Sequence, residues 1–286
     1  MAPADKTPQL DLSFAVIRGA TRIARRRVRY PYTFLQPFWL GDQPQGLATV
    51  ILQSASGGIF GGERLCQSIT LSKGAAVHLT NQAATIVHAA RRLPAAHQDI
   101  HLTLDFGAYL EYLPESMTLF PDADLVQQVR IKIAETAVVL YGDGIVRHDP
   151  DQKDRSFRHY RNDVEFYLPD GSLLFGEHAE ATGAEFDQAL TVDSENWSAC
   201  GFLAVAAPTH KMPELGLQAA IEKLIDELNQ QHGQRIYAAT GFLPNDAGLM
   251  CRIVAQNGKL LRDTLEACWR CARLHLTGMP APRRRK

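Results

Sequence analysis

A chain of 286 residues with 45% hydrophobic content can bury a large core, as one big domain or two small ones. Its 30 basic and 31 acidic residues leave a net charge of −1, which argues against a nucleic-acid binder working through a broad basic surface. The cysteine count of 5, odd and sparse, argues against a disulfide framework, and no run approaches the roughly 20 apolar residues that span a bilayer.

At the start, Met1-Ala2-Pro3-Ala4-Asp5-Lys6 leads into no apolar segment, so a cytoplasmic setting without membrane contact is expected. Arg25-Arg26-Arg27 is a local basic cluster, matched at the other end by Arg283-Arg284-Arg285-Lys286. That tail reads either as a solvated end or as a dock for an acidic partner.

Gln53 to Leu65 is the most informative stretch. Gly57-Gly58 and Gly61-Gly62 bracket Ile59-Phe60, and Glu63-Arg64 follows at once. Paired glycines permit positive φ and close backbone approach, so the loop is expected to be tightly turned or pressed against a partner. A phosphate cradle fails on spacing, because a P-loop needs Lys-Ser/Thr where Glu63-Arg64 stands.

Period two then dominates. Ser68 to Ser72, Val77 and Leu79, Ile100 to Phe106, and Val129, Ile131 and Ile133 alternate as half-buried strands. Val164 to Leu168 and Leu173 to Phe175, joined by Pro169-Asp170-Gly171-Ser172, predict a hairpin. Between these last two signals, the charged run from Asp149 to Arg161 is expected to be a mobile loop.

Helical period comes only late. Ile221, Leu224, Ile225 and Leu228, following Pro213 and closed by Gly233, form one stripe. Leu261, Leu265, Cys268, Trp269, Ala272 and Leu276, closed by Gly278, form a second, and Arg235 to Phe242 and Gly248 to Val254 read as strands between them. Without helices between the earlier strands, the pattern is mainly β, an all-β scaffold with two α-helices in the C-terminal third.

No Gly-x-Ser-x-Gly elbow, His-Glu-x-x-His or kinase motif is present, so no catalytic residue is named. Cys268, Cys271 and His275 share one helical face, but a single Cys-x-x-Cys favours core packing over ligation. His78 and His88 flank the stretch Thr80 to Thr85 and can share a neighbourhood. Glu63, Asp143 and Glu177 are by default solubilising.

Four stretches carry a resemblance. Ser56 to Leu65 looks like Gly-Gly-x-x-Gly-Gly-Asp-x-Leu, and Leu79-Thr80-Asn81-Gln82-Ala83-Ala84-Thr85 like a strand usually written Thr-Thr-Gln-Ala-Ala. Tyr109-Leu110-Glu111-Tyr112-Leu113-Pro114-Glu115 is similar to Leu-Glu-x-Leu-Pro-Gln. Trp269 with Arg273-Leu274 and Pro282-Arg283 is similar to a closing Trp-x-x-Leu-Arg and Pro-Arg. In this order, from about residue 14 to 284, they resemble the urease accessory protein family UreD, also called UreH. Gly57, Gly58, Gly61, Gly62, Thr80, Gln82, Glu111, Pro114 and Trp269 are the motif residues.

The resemblance implies an elongated β-helix-like stack of strands, a single domain over 1–286 with 1–13 and 279–286 as flexible ends. It implies a non-catalytic scaffold and metallochaperone that binds apo-urease (UreA, UreB, UreC), recruits UreF and UreG, and passes Ni²⁺ transiently without a permanent cofactor. Glu63, Asp143, Glu177, His78 and His88 are the candidates for a nickel path, with single carboxylates and imidazoles that bind weakly enough to release. Gly142 to Asp149 lacks the family's Gly-Glu, Ile86-Val87-His88-Ala89 replaces Lys-x-Tyr-Arg, and the Ile-Trp after the terminal Pro-Arg is missing. These departures bear on partner contacts. The alternatives are a β-helix enzyme acting on carbohydrate and a divergent scaffold serving another metalloenzyme.

Overall fold

A computed structural model describes residues 7–40, 44, 46–192, 195–208 and 216–282. The strands in chain order are β1 (Leu10–Ile17), β2 (Ala20–Val28), β3 (Tyr32–Phe34), β4 (Ala48–Ser54), β5 (Arg64–Leu71), β6 (Ala76–Asn81), β7 (Ile86–Val87), β8 (Ala96–Leu104), β9 (Tyr109–Tyr112) and β10 (Met117–Leu119). There follow β11 (Asp124–Ile133), β12 (Val138–Arg147), β13 (His159–Tyr167), β14 (Leu173–Thr182), α1 (Gly183–Ala189), β15 (Thr191–Val192), β16 (Glu195–Asn196) and β17 (Ala199–Ala206). The chain closes with α2 (Leu217–His232), β18 (Ile236–Phe242), β19 (Gly248–Ala255) and α3 (Gly258–Thr277).

Two sheets face each other. The first runs β14-β13-β11-β8-β5-β1-β2, the second β18-β19-β17-β12-β9-β6-β4-β3. From β4 to β13 the chain passes from one to the other and back, the short β7 and β10 staying with the second sheet, and from β6 on each strand but β7 lies parallel to the strand one turn earlier. The result is a β-solenoid of about four turns. The mainly β, helix-like stack expected from the sequence is therefore the observed one.

The period-two residues meet between the sheets. Ile69, Leu71, Ile100, Leu102, Leu104, Val129, Ile131 and Ile133 face Val77, Leu79, Leu110 and Val139 in one core. β6 is buried on both faces, because Ala76 and its neighbours on the opposite face lie under the helices. Leu217, Ile221 and Ile225 of α2 and Leu261, Cys268, Trp269 and Ala272 of α3 form that second core. Each fully buried Leu or Ile among them stabilises by about 1.5–3 kcal/mol. Gly233 (φ 67) and Gly278 (φ 73) end α2 and α3 in the left-handed region, where glycine has no Cβ to clash.

Some expectations are corrected. Residues 10–13 are no flexible end: they begin β1, with Leu10 and Leu12 fully buried between neighbours on both sides. At the other end Ala281 is buried against the helices, whereas residues 1–6, the basic tail 283–286 and Pro213 lie outside the described residues. Phe106 falls in the turn after β8 rather than in the strand, and is half exposed. The charged run ends inside β13, and its first part winds around Asp149, which accepts from the amides of Asp151, Lys153 and Arg155. A third helix, α1, was not expected; Thr182 and Glu185 form its capping box. No described helix is long and apolar enough to cross a membrane.

Candidate functional site

The glycine loop is pressed against its own chain. Ile59 N–H donates to Ile86 O and His88 N–H to Ile59 O, each at 2.8 Å. A Cβ on Gly58 (φ 147) would stand 2.4 Å from Ile86 O, and one on Gly61 would stand 2.8 Å from the Ala90 Cα. Only glycine admits that approach.

Behind the loop lies a cavity of about 240 Å³ between Gln53-Ser54, the Asn81 to Ile86 turn, and a floor of Tyr32, Gln67 and Gln98. Gln53 donates to Gln82 across its rim. Gln67, Asn81, Thr85 and Gln98 also line a second cavity of about 30 Å³, which continues to Tyr112, Tyr141, Gln127 and Asp143. That is room for one or two waters. Pro114 and Glu115 in turn line both this chamber and a third space of about 50 Å³, bounded by Leu113, Gly142, Arg262 and Trp269 under α3. The three spaces succeed one another from the glycine loop to the last helix.

The solenoid sets the chemistry of this route. Gln98, Gln127 and Asn162 occupy matching positions of β8, β11 and β13, all pointing inward, and form a row of amides. Asp143 Oδ2 accepts from Gln127 Nε2 at 2.6 Å, from Asn162 Nδ2 at 3.0 Å and from Tyr141 OH at 3.0 Å; Asp143 Oδ1 accepts from Gly144 N–H at 2.7 Å. Nearer the mouth, Tyr112 OH donates to Gln67 Oε1 and Gln67 Nε2 to Tyr32 OH. Burial pushes the Asp143 carboxyl above its ordinary range, while these donors pull the other way. A buried carboxylate is tolerated because its oxygens are hydrogen-bonded.

A second polar cluster lies on the other face of the second sheet. Glu111, 0% exposed, accepts from Tyr109 OH at 2.8 Å, pairs with His78 Nδ1 at 2.6 Å and accepts from Arg273 Nη1 at 3.3 Å. His78 lies against Trp269, ring centroids 5.2 Å apart. Burial opposes ionisation of Glu111, but His78 and Arg273 outweigh it and hold the carboxyl below its ordinary range.

Of the five path candidates, Asp143 alone lines the succession of cavities. Glu63 caps its own turn, accepting from Phe60 N–H at 2.9 Å. His88 stacks on Phe60, centroids 4.3 Å apart, on the outer side of the loop. Glu177 pairs with Arg252 and so ties β14 to β19. His78 belongs to the Glu111 cluster, whose motif partners Thr80 and Trp269 are likewise buried. Cys268 packs beside Cys251, while Cys271 meets His275 at 3.8 Å. Among the described residues no group of three or more His, Cys, Asp or Glu is arranged to hold a metal ion.

Sequence reading missed Gln67, Gln98, Gln127, Asn162 and Glu115 as site residues. The signal was present: each amide interrupts an inward-facing apolar series, as Gln98 does between Ala96 and Ile100.

The family model described as "UreD urease accessory protein" matches residues 6–286. "Urease accessory protein UreD 1" of Pseudomonas syringae pv. syringae is 32% identical over 269 residues, 94% of this chain and 91% of the relative. "Urease accessory protein UreD 2" of Bradyrhizobium sp. strain BTAi1 is 34% identical over 93% of this chain and 89% of its own. "Urease accessory protein UreD 1" of Methylorubrum populi is 31% identical over 100% of this chain and 94% of the relative.

Proposed function

Because the chain belongs to the UreD urease accessory protein family, we propose that it is a non-catalytic scaffold that passes Ni²⁺ toward apo-urease through its own interior. In this reading it binds the urease subunits, recruits UreF and UreG, and works in the cytoplasm. The observation that supports it is the succession of three spaces through the solenoid, joined by shared residues and lined in part by amides, phenols and three carboxylates, Asp143, Glu115 and Glu266, with Arg262 also on the wall of the last space.

The donor set suits a cargo. Ni²⁺ exchanges part of its hydration shell for oxygen donors, and neutral amides and phenols hold it more weakly than thiolates or clustered imidazoles would. Asp143 is already engaged by four donors, so it offers negative potential to a passing hydrated ion more readily than a direct bond. Each stop is therefore shallow, and the ion leaves as readily as it enters.

The test is co-expression of urease with its accessory proteins, with and without this chain. Urease activity should depend on it, and the chain should co-purify with UreF and the urease subunits. Fully active urease in its absence, with the chain recovered free, would overturn the proposal. Turnover of a polysaccharide by the isolated chain would move it to the carbohydrate-enzyme alternative.

A further inference from the structure

The two sheets end in four edge strands, β2 and β14 in the first, β3 and β18 in the second. An exposed edge offers unpaired backbone groups to any passing strand, and proteins blunt it with charge, proline or brevity. β2 carries exposed Arg22, Arg25, Arg26 and Arg27. β14 carries Glu177, His178 and Glu180, and β3 is 3 residues long with Pro31 directly before it. β18 is different. Its 7 residues, Ile236-Tyr237-Ala238-Ala239-Thr240-Gly241-Phe242, hold neither charge nor proline.

The ladder phase shows which groups are open. Gln256 N–H donates to Arg235 O at 3.1 Å and Leu243 N–H to Gly248 O at 2.9 Å, so the odd-numbered residues bond to β19. The amides and carbonyls of Ala238, Thr240 and Phe242 therefore point away from the sheet. Ile236, of the same set, gives its N–H to Asn229 Oδ1 of α2 at 3.1 Å. Among the described residues no hydrogen bond reaches the Ala238, Thr240 and Phe242 amides. A row of alternate amides and carbonyls is matched by one thing, another extended backbone.

α2 says what that backbone carries. Glu222 Oε1 accepts from Thr240 Oγ1 at 2.7 Å, which sets this helix face beside the open edge. Asp226 and Asn229 follow at i+4 and i+7 on the same face, and Glu222 and Asp226 are exposed. A strand laid along β18 runs next to two carboxylates and gains by placing a basic side chain there. A two-fold copy of this chain would instead bring two Glu222–Asp226 faces together, like charge against like. Tyr237, 72% exposed, and Phe242, 51% exposed, supply apolar contact on either side of the added strand.

We propose that β18 is a docking edge for an extended, basic segment of a partner protein, which joins the second sheet as a further strand. This is independent of the urease reading and of the interior route.

The test is amide hydrogen exchange on the full chain. The probe is a blocked peptide of about ten residues alternating valine with lysine and threonine, long enough to span β18. Controls are the same peptide with glutamate for lysine, and the lysine peptide N-methylated at alternate amides. The lysine peptide should slow exchange of the Ala238, Thr240 and Phe242 amides by about tenfold or more, and the controls should not. Ala238→Pro, which removes one outward N–H and spares the β19 pairing, should abolish the effect while the melting temperature holds. No slowing at millimolar lysine peptide, or equal slowing by the N-methylated one, overturns the proposal. Slowing that rises with chain concentration in the absence of peptide assigns the edge to a second copy and overturns it equally.

Discussion

Arg273 of α3 donates to Glu111 of β9 at 3.3 Å, across 162 positions of the chain, with both side chains out of contact with solvent. The closing Trp-x-x-x-Arg stretch and the Leu-Glu-x-Leu-Pro stretch are thus two halves of one internal joint. Their motif value is structural: they hold the last helix to the middle of the solenoid.

Removing one partner of a buried, hydrogen-bonded ion pair leaves the other uncompensated. Arg273→Ala should destabilise the chain by about 3–5 kcal/mol, read from urea unfolding. Arg273→Ala together with Glu111→Gln should cost less than the sum of the single changes.

The two buried carboxylates carry opposite pH signatures. Glu111 lies below its ordinary range in the folded chain, so the unfolded chain binds its proton more readily. Its contribution is full above the model-compound value of 4.5 and is lost as pH falls through the folded value. Glu111→Gln should flatten the acid limb of a stability–pH curve. Asp143 is raised by burial above 3.8, so its contribution declines as pH rises through the folded value. As pH rises above 3.8, Asp143→Asn should therefore lose less stability than the parent.

The glycine pairs should not be equivalent. Gly57 has φ 73 with open space around its missing Cβ, so Gly57→Ala should cost about 1–2 kcal/mol of left-handed strain. Gly58→Ala adds a collision with Ile86 O and should cost more. Gly61→Ala has no such φ but meets Ala90, so its cost depends on movement of that backbone. Thermal melts of the three variants should rank Gly58 as the most damaging of the first two.

Glu115 stands at the neck shared by the inner chamber and the space under α3. In co-expression, Glu115→Leu should lower urease activation several-fold with an unchanged melting temperature, because an apolar neck disfavours a hydrated ion. Glu115→Gln should retain more activity. Equal activation by Glu115→Leu and parent would remove Glu115 from the route.

Much of the fold was legible because burial writes itself as period two in strands and as stripes in helices. Ile100, Leu102 and Leu104 were placed inward, and Gly233 and Gly278 marked true helix ends. α1 escaped because its Thr182-x-x-Glu185 box precedes only 7 helical residues, too few to display a stripe. The route was harder. Alternation says that Gln98, Gln127 and Asn162 point inward, but only the parallel register says that they are neighbours. Glu63 and Glu177 are candidates through their match to acidic positions of the resembled family, and such a match does not reveal which side of a turn or edge a side chain takes.

The joint between α3 and β9 also makes the middle of the winding dependent on a distant helix. Damage confined to α3 is felt 162 positions away, where the acid of β9 loses its guanidinium.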